Sequence, residues 1–189
     1  RMNQLLFGFN ICMFFWLFGT FMMFDTRDNI ARAIFWDRFV YLGVIMMPSL
    51  MHHFSLVFTN SAKKKQRILL VVNYLIGIFF LFASRTPYFV DGLNIYSWGA
   101  HSQARILHSV FLGYFFLSVG IFFTNLFQAY RKSKDRIFRV QTIYVFIAFA
   151  QVMLVGGTAY LYAYGIDTKF PFAYITGLIF PVMLFYAVT

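Results

Sequence analysis

The sequence predicts an all-α fold: a polytopic transmembrane helix bundle of about six spanning helices. Three observations carry this. The chain is 61% hydrophobic and only 12% charged, with a mean hydropathy of +0.70, whereas soluble domains run to about half apolar and a quarter charged. Six apolar segments approach or exceed the roughly 20 residues needed to cross about 30 Å of hydrocarbon. Charged residues are gathered in short links between these segments. Residues 1–189 therefore read as a single transmembrane helical domain, with no soluble domain left over.

The elements follow in order. The first apolar segment covers 4–24. It is too long for a cleavable signal peptide and lacks a small-residue cleavage site near its end. A polar link, Asp25 to Asn29, leads to a second helix over 33–58. The basic link Lys63, Lys64, Lys65, Arg67 precedes a third helix over 68–83. Residues 84–103 form the longest loop. A fourth helix spans 105–130 and ends in a second basic link, Arg131 to Arg136. A fifth covers 137–162, and a sixth, after the turn at 164–169, covers 171–189. Pro48 lies within the second helix and removes one helical hydrogen bond, so a kink is expected there. Pro181 predicts another in the sixth. The run Gly156-Gly157-Thr158-Ala159 suits close helix approach.

Lys and Arg set the orientation. One set of segment ends holds ten of them: Arg1, the group from Lys63 to Arg67, and the group from Arg131 to Arg139. The opposite set holds six: Arg27, Arg32, Arg38, Arg85, Arg105 and Lys169. Basic residues favour the cytoplasmic side, so the chain is expected to begin and end in the cytoplasm. Trp36, Tyr88, Tyr96, Trp98, Tyr162 and Tyr164 then fall near the outer ends, where amphipathic rings favour the interface. The net charge of +10 is spread over these links and does not form a nucleic-acid-binding surface. The 28 Phe residues read as lipid-facing and interhelical filling.

Candidate chemistry is sparse. There is no Glu, and only six Asp. No His-Glu-x-x-His, Gly-x-Ser-x-Gly, Cys-x-x-Cys or phosphate-cradling Gly loop occurs. The lone cysteine, Cys12, cannot form an internal disulfide. His101 and His108, seven residues apart, are read as sharing a face at the outer end of the fourth helix. His52 lies about 24 Å below the outer end of its helix and His108 about 5 Å below that of its own, at 1.5 Å per residue. A bis-histidine haem between them therefore fails on depth. No cofactor and no metal site is expected, and His52 and His53 read either as polar residues that hydrogen-bond across the bundle or as residues near the inner interface. No catalytic site is visible in these residues.

The order of features resembles the N-terminal seven-helix sensor domain of bacterial histidine kinases. The second helix carries Phe35-Trp36-Asp37-Arg38-Phe39 at its start, Met47-Pro48 midway and His53-Phe54 at its end. The long loop carries Gly92 and then Tyr96-Ser97-Trp98-Gly99. The fourth helix ends in Tyr130-Arg131-Lys132-Ser133-Lys134-Asp135-Arg136, followed by Arg139-Val140-Gln141. The last helix follows Pro171 and ends in Tyr186-Ala187. Six helices rather than seven, and a chain that stops where a signalling helix would begin, fit a missing first helix and a missing output domain. The resemblance implies a sensory input domain of the bacterial inner membrane. It would pass an unknown small-molecule or membrane signal to a cytoplasmic kinase, cyclase or phosphatase. Its partners would be the lipid bilayer and neighbouring helices or a second copy, and not nucleic acid. The competing readings are a non-catalytic subunit of a larger membrane complex and a small transporter.

If the chain is a sensor, a ligand is expected at the outer half, where Trp36, Asp37, Arg38, Tyr96, Trp98, His101 and Arg105 converge. Arg105 is placed to pair with Asp37 or Asp91, and Pro48 is the expected hinge. The orientation is checked by reporter tags. Tags within 63–67 and 131–136 should report the cytoplasm, and tags at Asp91 and Asp167 the outside. A cytoplasmic signal from Asp91 would overturn the orientation.

Overall fold

The computed structural model describes residues 2–188; Arg1 and Thr189 lie outside it, as do the side chains of Leu178, Phe185, Tyr186, Ala187 and Val188. Eight α-helices and one β-hairpin follow one another along the described chain. They are α1 (Met2–Asp25), α2 (Ile30–Val44), α3 (Met47–Phe58), α4 (Lys64–Ala83), β1 (Val90–Tyr96), β2 (Gly99–Ala104), α5 (Ile106–Lys132), α6 (Arg136–Ala150), α7 (Ala159–Ala163) and α8 (Thr176–Val188). Five stretches are long and apolar enough to cross a membrane: α1, α2 with α3, α4, α5, and α6 through α7. The sixth, α8, is shorter and equally apolar. The expected all-α bundle is therefore present.

Helix α3 is its centre. Eight of its 12 residues are buried, and it packs against α1, α4 and α5. Helix α4 is the opposite case. Its buried residues are Asn73, Gly77, Phe80 and Ala83, a single stripe at helical spacing. Ile68, Val71, Leu75, Phe79 and Phe82 stand exposed on its other faces. That apolar exterior is a lipid-facing surface.

The two ends of the bundle differ. The basic end carries the links at 63–67 and 131–136. The hairpin end carries β1 and β2 together with the turns at 26–29 and 164–171.

Two expectations are corrected, and a third, the kink at Pro48, is sharpened. The segment read as a loop at 84–103 contains the antiparallel pair β1–β2, joined through Ser97 and Trp98, with Tyr96 opposite Gly99 and Asn94 opposite His101. The pairing slips by one residue between Val90 and Leu93, a bulge carried by Asp91 and Gly92. The second predicted helix is not continuous. It breaks at Ile45–Met46 and restarts as α3 with Pro48 in its first turn. Proline has no N–H to offer the carbonyl four residues back, and its ring crowds that turn. The fifth predicted helix also changes form: Gln151–Val155 is a π-helix and Gly156–Thr158 a 3-10 turn between α6 and α7. Glycine pairs and π-bulges are recognised causes of such irregularity.

Helices α1 and α2 meet closely at Gly43. A Cβ there would collide with the Cys12 carbonyl and lie 2.9 Å from Phe15 Cβ. At Gly113 on α5 nothing lies within 4 Å of such a Cβ. Gly43→Ala should therefore destabilise the bundle by about 1–3 kcal/mol, the usual result of overpacking. Gly113→Ala should be neutral, or stabilise by up to about 1 kcal/mol through helix propensity. Unfolding in mixed micelles checks both, and equal behaviour of the two variants would refute the α1–α2 contact.

Candidate functional site

The hairpin end is assembled on Tyr162, at the end of α7. This ring is fully buried. Trp98 meets it at 4.8 Å and His101 at 5.7 Å between ring centroids. Tyr96 stacks flat on Trp98 at 4.9 Å. A helix ends with carbonyls that have no partner within the helix, and the hairpin supplies donors to them. Asn94 Nδ2 donates to the Tyr162 carbonyl at 3.0 Å and the Ala163 carbonyl at 3.3 Å. The Tyr96 hydroxyl donates to the same Tyr162 carbonyl at 2.6 Å. On the far side, a Cβ on Gly99 would lie 2.8 Å from the Phe24 ring, so only glycine lets the strand sit this close to the end of α1.

Trp98 is anchored outward as well. Its Nε1–H donates to Asp167 at 2.9 Å, and the Lys169 backbone N–H donates to the same oxygen at 2.7 Å. The Trp98 bond, with the Lys169 backbone N–H behind it, holds the Asp167 carboxyl below its ordinary range. Arg105 pairs with Asp91 at 3.0 Å, one of the two partners expected for it; both side chains are largely exposed.

Beneath the hairpin the polar contacts turn inward. The Tyr41 hydroxyl on α2 and Ser102 Oγ lie 3.0 Å apart, and Ser102 Oγ lies 3.1 Å from His101 Nδ1. Asp37, one turn before Tyr41, is buried and faces Ser102, with Arg38 beside it. Its Oδ2 has no hydrogen-bond partner among the described residues. Trp36 stands apart, packed on Phe18 and Phe39 at the outer side of α1 and α2. His101 is therefore on a strand, not on the fourth predicted helix. It does not share a helical face with His108, which is buried under Phe89 and bonded to the Tyr164 hydroxyl at 3.2 Å.

A cavity of about 40 Å³ lies directly below, bordered by Tyr41, His101, Val44, Met47, Val152 and Gly156 among others. Space on that scale holds about three water molecules. Of the seven residues expected to bind a ligand, only His101 borders it. Tyr96 and Trp98 belong to the hairpin above it and pack on Tyr162 without lining it; Asp37 and Arg38 precede the lining residues Val40 and Tyr41 on α2, and Trp36 and Arg105 do not line it either. The open aromatic mouth expected from a loop is filled by the hairpin.

One polar cluster escaped the sequence reading. At mid-bundle, Ser49 Oγ lies 3.0 Å from both Asn73 Oδ1 and the Tyr114 hydroxyl. Asn73 Nδ2 donates to Ser118 Oγ at 3.2 Å and to His52 Nδ1 at 3.3 Å. The signal for it was Asn73 alone in an otherwise apolar run, opposite a serine next to Pro48. His52 takes part in the cross-bundle bonding expected of it. Among the described residues no group of three potential metal ligands comes together.

Burial pushes the His101 imidazole down to about 4, because the charged ring would lose its water. In the unfolded chain it titrates near 6.5. Between those values the unfolded state binds the extra proton, so stability falls as the pH drops from about 6.5 to about 4. Thermal unfolding measured across that range should show this slope, and His101→Phe should reduce it without abolishing it, because His52 and His108 are buried too. An unchanged slope in the variant would assign the acid sensitivity elsewhere.

No curated protein and no solved structure matches the chain. The family model for the N-terminal 7TM region of histidine kinase matches residues 1–188, nearly the whole sequence and every spanning helix described above. Matched over nearly its whole length and built of apolar spanning helices, this integral membrane chain belongs to that family.

Proposed function

We propose that the chain is the sensory input region of a signalling protein in the bacterial inner membrane. A small-molecule or membrane signal acts at the hairpin end, taken as the outer face. The response runs along α2 and α3, hinged at Ile45–Met46 and Pro48, towards a cytoplasmic output module such as a histidine kinase, with the C-terminus on the cytoplasmic side. One observation carries the reading. Both irregular stretches of the spanning helices, Val44–Met47 and Val152–Gly157, border the same cavity under the hairpin. A ligand that changes this cavity acts directly on the two places where the helices can bend. The cavity as it stands is small, so the described form is the closed one, and an agonist larger than a few atoms has to open it.

A ligand shifts such an equilibrium only by binding its two states unequally. Removing the roof should shift it without any ligand. In the full-length protein, with output read in membrane vesicles at matched expression, Trp98→Ala is expected to change basal output by about fivefold or more, the lower end of ordinary coupling. Arg38→Ala, beside the buried Asp37, should move it too. Unchanged basal output and unchanged response to every active stimulus in both variants would reject the hairpin end as the input site.

A further inference from the structure

We propose that the groove between α1 and α4 at the basic end is a binding site selective for one anionic phospholipid. The groove encloses about 610 Å³, within the range of clefts that hold whole ligands. Its walls are apolar: Leu5 on α1, Leu56 on α3 at the back, and Leu70 on α4. Its mouth is polar, with Gln4 and Arg67, and His53 lines it deeper, bonded to the Tyr74 hydroxyl at 3.2 Å. Both α1 and α4 pack on α3, and the space between them faces the bilayer. A groove so placed fills with acyl chain, and the question is which headgroup sits at its mouth.

The charges answer it. Arg67 lines the groove, and Lys63, Lys64 and Lys65 precede it in the same link; all four are exposed. Among the described residues the one ion pair is Arg105–Asp91, so no carboxylate of the protein neutralises any of these four. Arg67 is already positioned: its Nε donates to the Ala62 carbonyl at 3.1 Å, and its terminal nitrogens have no partner among the described residues. The same four residues begin a 20-residue helix that has no side-chain cap and no acid in its first turn. A helix start carries partial positive charge, so it adds to the lysines rather than offsetting them. A phosphate at the mouth satisfies both, and the chain below it meets leucine. From Lys64 to Leu70 the helix climbs about 9 Å, the depth from a headgroup to its upper acyl chain. Basic pockets between spanning helices are the sites where anionic headgroups are held. A zwitterionic lipid brings its own cation to this mouth, and a peptide segment would have to bring acids.

Native mass spectrometry of the detergent-purified full-length protein tests this, with phosphatidylglycerol and phosphatidylcholine added in equal amounts. One phosphatidylglycerol should be retained in preference to phosphatidylcholine. Arg67→Gln should lower that retention roughly fivefold, the weight of one basic residue at a membrane surface. Leu70→Trp, which keeps every charge but fills the wall, should lower it as well. Lys132→Gln, in the other basic link, should leave it unchanged. Equal retention of the two lipids, wild-type retention by Arg67→Gln or Leu70→Trp, or an equal loss in Lys132→Gln would each overturn the site. Comparing only variants whose thermal transitions in neutral detergent match the wild type separates lost binding from lost folding.

Discussion

A bilayer core offers backbone groups no hydrogen-bond partner, so every irregularity in a spanning helix has to be buried in protein or face a cavity. This constraint organises the molecule. The chain breaks its helices at two depths within the membrane, at Ile45–Met46 and at Gln151–Thr158, and neither break is turned wholly to lipid. Ile45, Met47, Val152 and Met153 are buried, and Met47, Val152 and Met153 border one shared cavity. Each break thus turns one side to protein and cavity, while Leu154 and Val155 of the second stand exposed.

The hairpin completes the arrangement. The Tyr162 carbonyl already accepts from the Gly165 backbone N–H in the turn after Ala163, and Asn94 and Tyr96 add side-chain donors to it and to the Ala163 carbonyl. The same two strands seat Gly99 on Phe24 and place His101 over the cavity. A bare loop over these helix ends would leave the Tyr162 ring and the Ala163 carbonyl to water. Two paired strands satisfy their own backbone and the helix end together. Their cost is a buried imidazole that stays uncharged, which makes the roof sensitive to acid although the rest of the bundle has few titratable groups.

Most of the fold was legible because hydrocarbon imposes a simple rule: long apolar runs become helices. The positions of the spans and the irregularity at Pro48 follow from spacing, and Asp91 was one of the two partners open to Arg105. The hairpin was not legible. Val90 to Ala104 mixes Gly, Asn, Ser and His with few alternating apolar residues, and its strands are held as much by Tyr162 and Phe24 as by their own pattern. The π-turn at Gln151–Val155 was equally hidden: the Gly156-Gly157 pair marked close packing there, and Gly156 does meet Thr176 and Trp16, but nothing in the run marks a change of helix type. The expected site was read as a ring of aromatic residues at one depth. Folding separates it into a roof, a flank and two outliers, because side-chain direction on a strand alternates and a sequence does not show which face meets the bundle.

The mid-bundle polar cluster bears on which parts move together. Asn73 on α4 is tied at once to Ser49 and His52 on α3 and to Tyr114 and Ser118 on α5. These bonds satisfy one another, which is how polar groups inside a membrane bundle hold helices together; a permeation pathway would instead leave such groups facing an open passage. Helices α3, α4 and α5 are thereby tied together at mid-bundle. Helices α1 and α2 meet closely where Gly43 approaches Cys12, α1 also packs on α3, and the hairpin is joined to α2 through Tyr41 and Ser102. The Ile45–Met46 break lies between α2 and α3, one turn before Ser49. On the proposed sensory reading, a change of tilt across this break alters the cavity at Val44 and Met47, and a ligand there would distinguish one tilt from the other, which is the physical requirement for a sensor.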